Sequence, residues 1–126
     1  MFSNLFSKSE TRAAVPWTRL TELSQLDELV QESHHKPVLI FKHSTSCPIS
    51  SMSLSRFERS FNEEATFDCY FLDLLAHREV SNQVAERFQV RHESPQAILI
   101  SKGKVIFDAS HSGIDFEEVN NHSTNA

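Results

Sequence analysis

Two cysteines among 126 residues, Cys47 and Cys69, are too few for a disulfide framework. A reducing cytosol disfavours even a single structural bridge. No apolar run approaches the ~20 residues of a membrane-spanning helix, so a spanning segment is not expected. The 12 Lys and Arg residues are scattered and outnumbered by 17 Asp and Glu, leaving a net charge of -5. That distribution argues against a nucleic-acid footprint. The opening Met1–Phe6 stretch has neither the charged n-region nor the long apolar h-region of a signal peptide, which makes the cytoplasm the expected compartment. Aromatic residues are uneven: one Trp and one Tyr stand against ten Phe, which points to a core built on phenylalanine. With 39% hydrophobic and 23% charged residues, the composition is neither that of a disordered chain nor that of a membrane protein. The length suits one domain with one core.

Along the chain, residues 1 to about 15 are polar and mixed, and they read as a loose arm ending at Pro16. Trp17–Leu20 is a candidate edge strand. Leu23, Leu26, Leu29 and Val30 recur with the period of an amphipathic helix. Thr21 or Ser24 can cap that helix, and it has to end before Pro37. Val38–Phe41 is a continuous apolar run, the signature of a strand buried on both faces. Polar His43–Ser46 then leads to Cys47-Pro48. Proline suits the first helical position because its missing N–H would have no intrahelical partner there, so a helix is expected from Pro48 to about Asn62. On a helical wheel Ser50, Leu54, Phe57 and Phe61 share the inward side, while Ser51, Ser55 and Glu58 point elsewhere.

Phe67–Leu72 reads as a second strand, rich in aromatics, and Val80, Val84 and Phe88 mark a further helix. Ala97–Ile100 is a strand joined through the Ser101–Lys104 turn to Val105–Phe107, a hairpin. Gly113–Val119 has room for a short last helix, and about 120–126 is expected to be a frayed tail. The order β-α-β-α-β-α-β-β-α gives a parallel portion with helices on both faces and an antiparallel closing edge. The expectation is one α/β domain over 1–126, thioredoxin-like, with a central mixed sheet flanked by helices.

In that layout Cys47 sits between a buried strand and a helix start. Free N–H groups there carry roughly half a positive charge, and thiols so placed fall from ~8.5 to roughly 3.5–7.5 in pKa. The thiolate is the attacking species in disulfide exchange, so Cys47 is the candidate catalytic nucleophile. Three residues on, where a dithiol enzyme carries its second cysteine, stands Ser50, which cannot resolve a mixed disulfide. Cys69 is no substitute. It lies near the amino end of its strand, about four residues or roughly 13 Å from the end where Cys47 lies. A disulfide needs Cα atoms within about 7 Å, so Cys69 is read as a core thiol.

The stretch Lys42-His43-Ser44-Thr45-Ser46-Cys47-Pro48-Ile49-Ser50 resembles the active-site segment of the YtxJ-type proteins, the monothiol bacilliredoxins. Val90-Arg91-His92-Glu93-Ser94-Pro95-Gln96 is similar to the second signature of that family. The resemblance covers about Trp17 to Ser112. It implies a thioredoxin fold that acts by thiol–disulfide exchange to remove bacillithiol from S-bacillithiolated client proteins. Position by position it implies Cys47 as nucleophile, Ser46, Pro48, Ile49 and Ser50 as its motif, and Pro95 as a cis-proline facing the site. His43, Thr45, Ser94 and Pro95 are the candidate substrate contacts. Bacillithiol would be a co-substrate, with no resident cofactor.

Departures from neighbouring families narrow the choice. Phe41 stands where thioredoxins place a buried acid, and no Trp precedes Cys47, so general disulfide reduction is not expected. A glutathione-dependent monothiol glutaredoxin is an alternative, but its paired glycines cannot be present in a chain whose only glycines are Gly103 and Gly113. A non-catalytic thioredoxin-fold adaptor or stress protein is the alternative from another class. His43 and His92 lie within reach of a thiolate, although the plainer expectation for each is a solvated loop histidine. His34, His35, His43, Cys47 and His92 match no compact zinc spacing, so no metal site is expected.

Overall fold

The computed structural model describes residues 14–126. The loose arm expected over about 1–15 falls almost wholly outside them. The elements run β1 (Thr18–Arg19), α1 (Ser24–Glu32), β2 (Val38–His43), α2 (Pro48–Ser60), β3 (Asp68–Asp73), α3 (Arg78–Phe88), β4 (Gln96–Ser101), β5 (Lys104–Ser110), a 3-10 turn (His111–Gly113) and α4 (Phe116–Thr124). The sheet order is β1-β3-β2-β4-β5. β1, β3 and β2 are parallel, while β4 is antiparallel to β2 and to β5. This is the expected thioredoxin-like arrangement, a mixed sheet with helices on both faces.

β2 lies in the middle, and all six of its residues are buried. Side chains alternate along a strand, so Val38 and Ile40 enter one core with Leu26 and Leu29 of α1 and Val80, Val84 and Phe88 of α3. Leu39 and Phe41 enter the other with Phe57 of α2 and Phe116 and Val119 of α4. The phenylalanine core expected from composition is this second one. Phe61 and Phe116 meet edge to face at 5.4 Å, and Phe41 and Phe57 lie 5.7 Å apart, both within the range of favourable aromatic pairs.

Three local features differ from expectation. Neither Thr21 nor Ser24 caps α1: the N-cap is Leu23, without a side-chain bond. Gln25 instead ties down the segment that precedes the helix, its Oε1 accepting from the N–H groups of Thr21 (2.7 Å) and Glu22 (3.0 Å). On α2 the inward side includes Ser53, whose hydroxyl donates to His111 O at 3.0 Å, while Leu54 is only partly buried. Last, α4 continues to Thr124, so 120–126 is not a frayed tail. Polar groups hold it: the Thr66 N–H and hydroxyl both donate to Asn120 Oδ1 at 2.9 Å, and Ser123 Oγ donates to Thr66 O at 2.8 Å. The expected Ser101–Lys104 turn is present. Lys102 and Gly103 both have positive φ, 54° and 77°, the geometry of a two-residue turn that follows the twist of its strands.

Candidate active site

β2 ends at His43, and four residues carry the chain from the sheet to α2. The Cys47 N–H closes this turn on Ser44 O at 3.2 Å, and Cys47 itself is the N-cap of α2, in extended conformation. Its amide is therefore used, and Pro48 has none. Ile49 and Ser50 carry the first-turn N–H groups that have no carbonyl one turn back. The partial positive charge of the helix start thus lies beside a thiol that is partly exposed and unbridged.

Ser50, the residue in the resolving position, is completely buried. Its Oγ accepts from the Ser44 N–H at 3.0 Å and lies 2.8 Å from His43 Nδ1. With its oxygen accepting from the Ser44 amide, the Ser50 hydroxyl keeps its proton free to donate to His43 Nδ1. Burial pushes the His43 pKa down, against smaller opposing effects from Asp73 and Glu58, which keeps the ring neutral and able to accept. Ser50 therefore ties both ends of the turn that presents Cys47. His43 is not the solvated loop histidine expected: it is the last residue of β2, buried, and committed to Ser50.

Cys69 pairs with Leu39 in the parallel β2–β3 register, whereas Asp73 pairs with His43. The second thiol is therefore four residues, roughly 13 Å, back along the sheet from the end where Cys47 lies. It is buried in the phenylalanine core, and burial, with the charge of Asp68 adding to it, pushes its pKa up to about 12.

The far side of the site comes from the segment before β4. The Ser94–Pro95 bond is cis. Lys42 pairs with Gln96 at the end of the β2–β4 ladder, so Pro95 directly precedes the last paired residue of β4. Pro95 O also accepts from the His111 N–H at 3.0 Å, and His111 O is the acceptor for Ser53 of α2, so the proline and the Cys47 helix are linked through one residue. The buried Gln96 amide shapes the loop, donating to Arg91 O at 2.9 Å and accepting from the Glu93 N–H at 3.4 Å. Ser94 Oγ is covered and has no hydrogen-bond partner among the described residues. Of the other expected site residues, Thr45, Ser46, Pro48 and Ile49 are exposed around Cys47.

Lys42 escaped the sequence analysis. It is fully buried, and its Nζ lies 2.7 Å from His92 Nδ1. Burial lowers the lysine pKa to about 8, so it remains an ammonium at neutral pH. An ammonium has only donors, so His92 Nδ1 accepts and the neutral ring holds its proton on Nε2. Burial and the charges of Lys42 and Arg78 push the His92 pKa down in keeping with this. His92 remains exposed on its loop, as expected, but it is tethered to β2. The signal was present in the alternation of β2, which puts Lys42 on the face of Val38 and Ile40; the charge hid it. Among the described residues no three of His, Cys, Asp and Glu come together in a group able to hold a metal ion.

The sequence profile of the family described as "Monothiol bacilliredoxin BrxC" matches residues 18–119. The chain belongs to the monothiol bacilliredoxins. Its relatives in this family are thioredoxin-fold oxidoreductases, so the enzyme class is thiol–disulfide exchange. Among solved structures, this bacilliredoxin is similar to a candidate oxidoreductase with a thioredoxin fold, at 27% identity and a TM-score of 0.73, over 94% of this chain and 98% of that one. It is also similar to thioredoxin from Malassezia sympodialis, at 17% identity and a TM-score of 0.67, over 91% of this chain and 92% of that one. Fasciola hepatica thioredoxin gives 15% identity and a TM-score of 0.65, over 85% of this chain and 96% of that one. The two thioredoxins establish the shared fold alone. No helix among the described residues is long and apolar enough to cross a membrane.

Proposed function

We propose that this bacilliredoxin removes bacillithiol from S-bacillithiolated cytoplasmic proteins through a mixed disulfide on Cys47. The Cys47 thiolate attacks the bacillithiol sulfur of the client disulfide. The S–S bond breaks, the electron pair leaves with the client sulfur as a thiolate, and a Cys47–bacillithiol disulfide forms. A second low-molecular-weight thiolate then attacks the bacillithiol sulfur of that disulfide, Cys47 leaves as thiolate, and the attacking thiol and bacillithiol depart joined as a disulfide. Bacillithiol is thus co-substrate, and the clients are the partners.

The observation that supports a one-thiol cycle is the occupancy of the site. A partly exposed sulfur stands at the start of α2, the resolving position holds a buried serine, and the other sulfur lies far back along β3. Family membership supports the choice of bacillithiol. Ser46, Pro48 and Ile49 frame the thiol, and Ser50 and His43 hold its turn in shape. Thr45, Ser94 and Pro95 form the rim against which the client disulfide lies.

The test is to incubate the enzyme with a bacillithiolated and a glutathionylated form of the same test protein. Release of bacillithiol, with its appearance on Cys47 by mass spectrometry, and slower removal of glutathione are expected. Equal or faster removal of glutathione, or no transfer to Cys47, would contradict the proposal.

A further inference from the structure

Two adjoining hollows run along the outward side of α2 and share Met52 and Arg56. One, of about 300 Å³, lies between the helix and the 3-10 turn and is lined by Ile49, Met52, Ser53, Arg56, His111 and Ser112. The other, of about 440 Å³, continues along the helix past Ser55 to Arg59. The first, walled by two elements, is of the size that takes a small molecule, ~300–1,000 Å³, whereas the second is the open outer face of α2 alone. Ile49 and Met52 are the two most exposed large apolar side chains among the described residues, at 54% and 68%. They lie two and five residues beyond Cys47, so Met52 is only about 7.5 Å along the axis from the nucleophile.

The charge of this lining departs from that of the chain. Net charge overall is -5, yet the hollows are bordered by two arginines and a histidine and by no carboxylate. Glu58, on the same helix, is drawn off to accept from Trp17 Nε1 at 2.8 Å. The rim has one acid nearby, Glu93, 3.7 Å from His111 Nε2. Two of these side chains are also held in place. Arg56 Nη2 donates to Ser112 O (3.3 Å) and Ile114 O (3.1 Å), which leaves the rest of a five-donor guanidinium without a partner among the described residues. His111 is fixed at a φ of 55°, with its N–H on Pro95 and its carbonyl on Ser53. Such a backbone conformation in a non-glycine residue persists only where the surroundings over-determine it.

We infer that this cleft seats the carboxylate-bearing, non-sulfur part of the small thiol while it is disulfide-bonded to Cys47. Arg56 binds the carboxylate, His111 closes the rim, and Ile49 and Met52 pack on the carbon skeleton. Size and charge select this occupant over a client polypeptide, whose interface would need about 800 Å² of this surface. The inference rests on the mixed disulfide proposed above and adds what recognises the thiol.

The experiment measures the equilibrium constant for forming the Cys47 mixed disulfide from three probes: bacillithiol disulfide, glutathione disulfide and neutral hydroxyethyl disulfide. The wild-type protein should favour the two carboxylated probes over the neutral one, and the preference should shrink with added salt. Arg56→Gln should cut the carboxylated-to-neutral ratio about tenfold, and Arg56→Lys should restore part of it. Met52→Glu, at an exposed position that leaves the Arg56 anchors intact, should cut the ratio as well. A wild-type ratio near one, or variants that lower all three constants alike, would overturn the inference and leave the thiol-exchange function standing. Loss of reaction only with a modified protein, at unchanged small-probe ratios, would assign the cleft to the client and also overturn it. Failure of all three probes to form a mixed disulfide would overturn both.

Discussion

Cys47 and Cys69 are served by adjacent strands of one sheet and have opposite surroundings. Cys69 sits mid-core beside Leu39, among phenylalanines, and its ionisation is suppressed to a pKa of about 12. Cys47 follows the end of β2, at a helix start, partly open to solvent. The chemistry of a thiol here is set by position along the strand, not by the strand or sheet. A residue at the carboxyl end of the parallel portion meets helix N-termini and the cis-proline loop, and one near the amino end meets only core. Four residues of register separate a partly exposed thiol at a helix start from a buried packing group.

The largest effect expected on this contrast comes from exchanging the two thiols for inert residues. Cys47→Ser should abolish removal of bacillithiol from a modified test protein, and Cys69→Ala should keep the rate within about threefold. Loss of activity in Cys69→Ala without loss of folding would remove the contrast. A smaller effect should appear in labelling. Iodoacetamide at pH 7 should modify Cys47 at least about 100-fold faster than Cys69 in the native protein, since the thiolate is the reacting species and Cys69 is both covered and protonated. In denaturant the two should converge, and peptide mass spectrometry reads both rates.

Ser50 sharpens the comparison from inside the site. Replacing it by Ala strands the buried Ser44 N–H and removes the partner of His43 Nδ1, at a cost of about 1–3 kcal/mol in stability by urea unfolding. Activity should fall several-fold, since the turn that presents Cys47 loosens, but it should survive because serine takes no part in the sulfur chemistry. A loss equal to that of Cys47→Ser would show a chemical role for this hydroxyl.

The smallest effect concerns Lys42, where the sign is informative. Its pKa is about 8 in the folded chain against 10.5 for the free side chain. Below about 8 both folded and unfolded states hold the proton, and burial of the ammonium opposes folding in full. Between about 8 and 10.5 the unfolded chain keeps a proton that the folded chain has released, so this contribution to stability rises with pH. Lys42→Met, which removes the buried charge at similar volume, should be at least as stable as wild type at pH 7, and its advantage should shrink by pH 10. A Lys42→Met protein that is less stable at pH 7, by a margin growing with pH, would contradict the assignment of a buried, strained ammonium.

Much of the scaffold was legible because strong local signals coincided with it. Val38–Phe41 has no polar residue to expose, Cys47-Pro48 marks a helix start, and Gly103 supplies a residue free to take a positive φ in a tight turn. The features that were missed depend on long-range partners. The end of α4 is polar, and it is fixed only because Thr66, more than fifty residues earlier, meets Asn120 and Ser123. The lead-in to α1 is held by a glutamine within the helix, which no N-terminal capping pattern announces. Lys42 is charged and follows an apolar run, and nothing local marks it as buried; its partner, His92, lies fifty residues on. At the site, the place of Cys47 at a helix start and the serine three residues on could be read from spacing. The roles of His43, Gln96 and His111 could not, because each is defined by what it touches across the sheet.

The most direct test of the one-thiol account is non-reducing peptide mapping of the enzyme after oxidation by bacillithiol disulfide and trapping by alkylation. The predicted product carries one bacillithiol on Cys47 and an unmodified Cys69 thiol. A crosslinked Cys47–Cys69 peptide as the main oxidised species would contradict both the mechanism and the separation of the two sulfurs along the sheet.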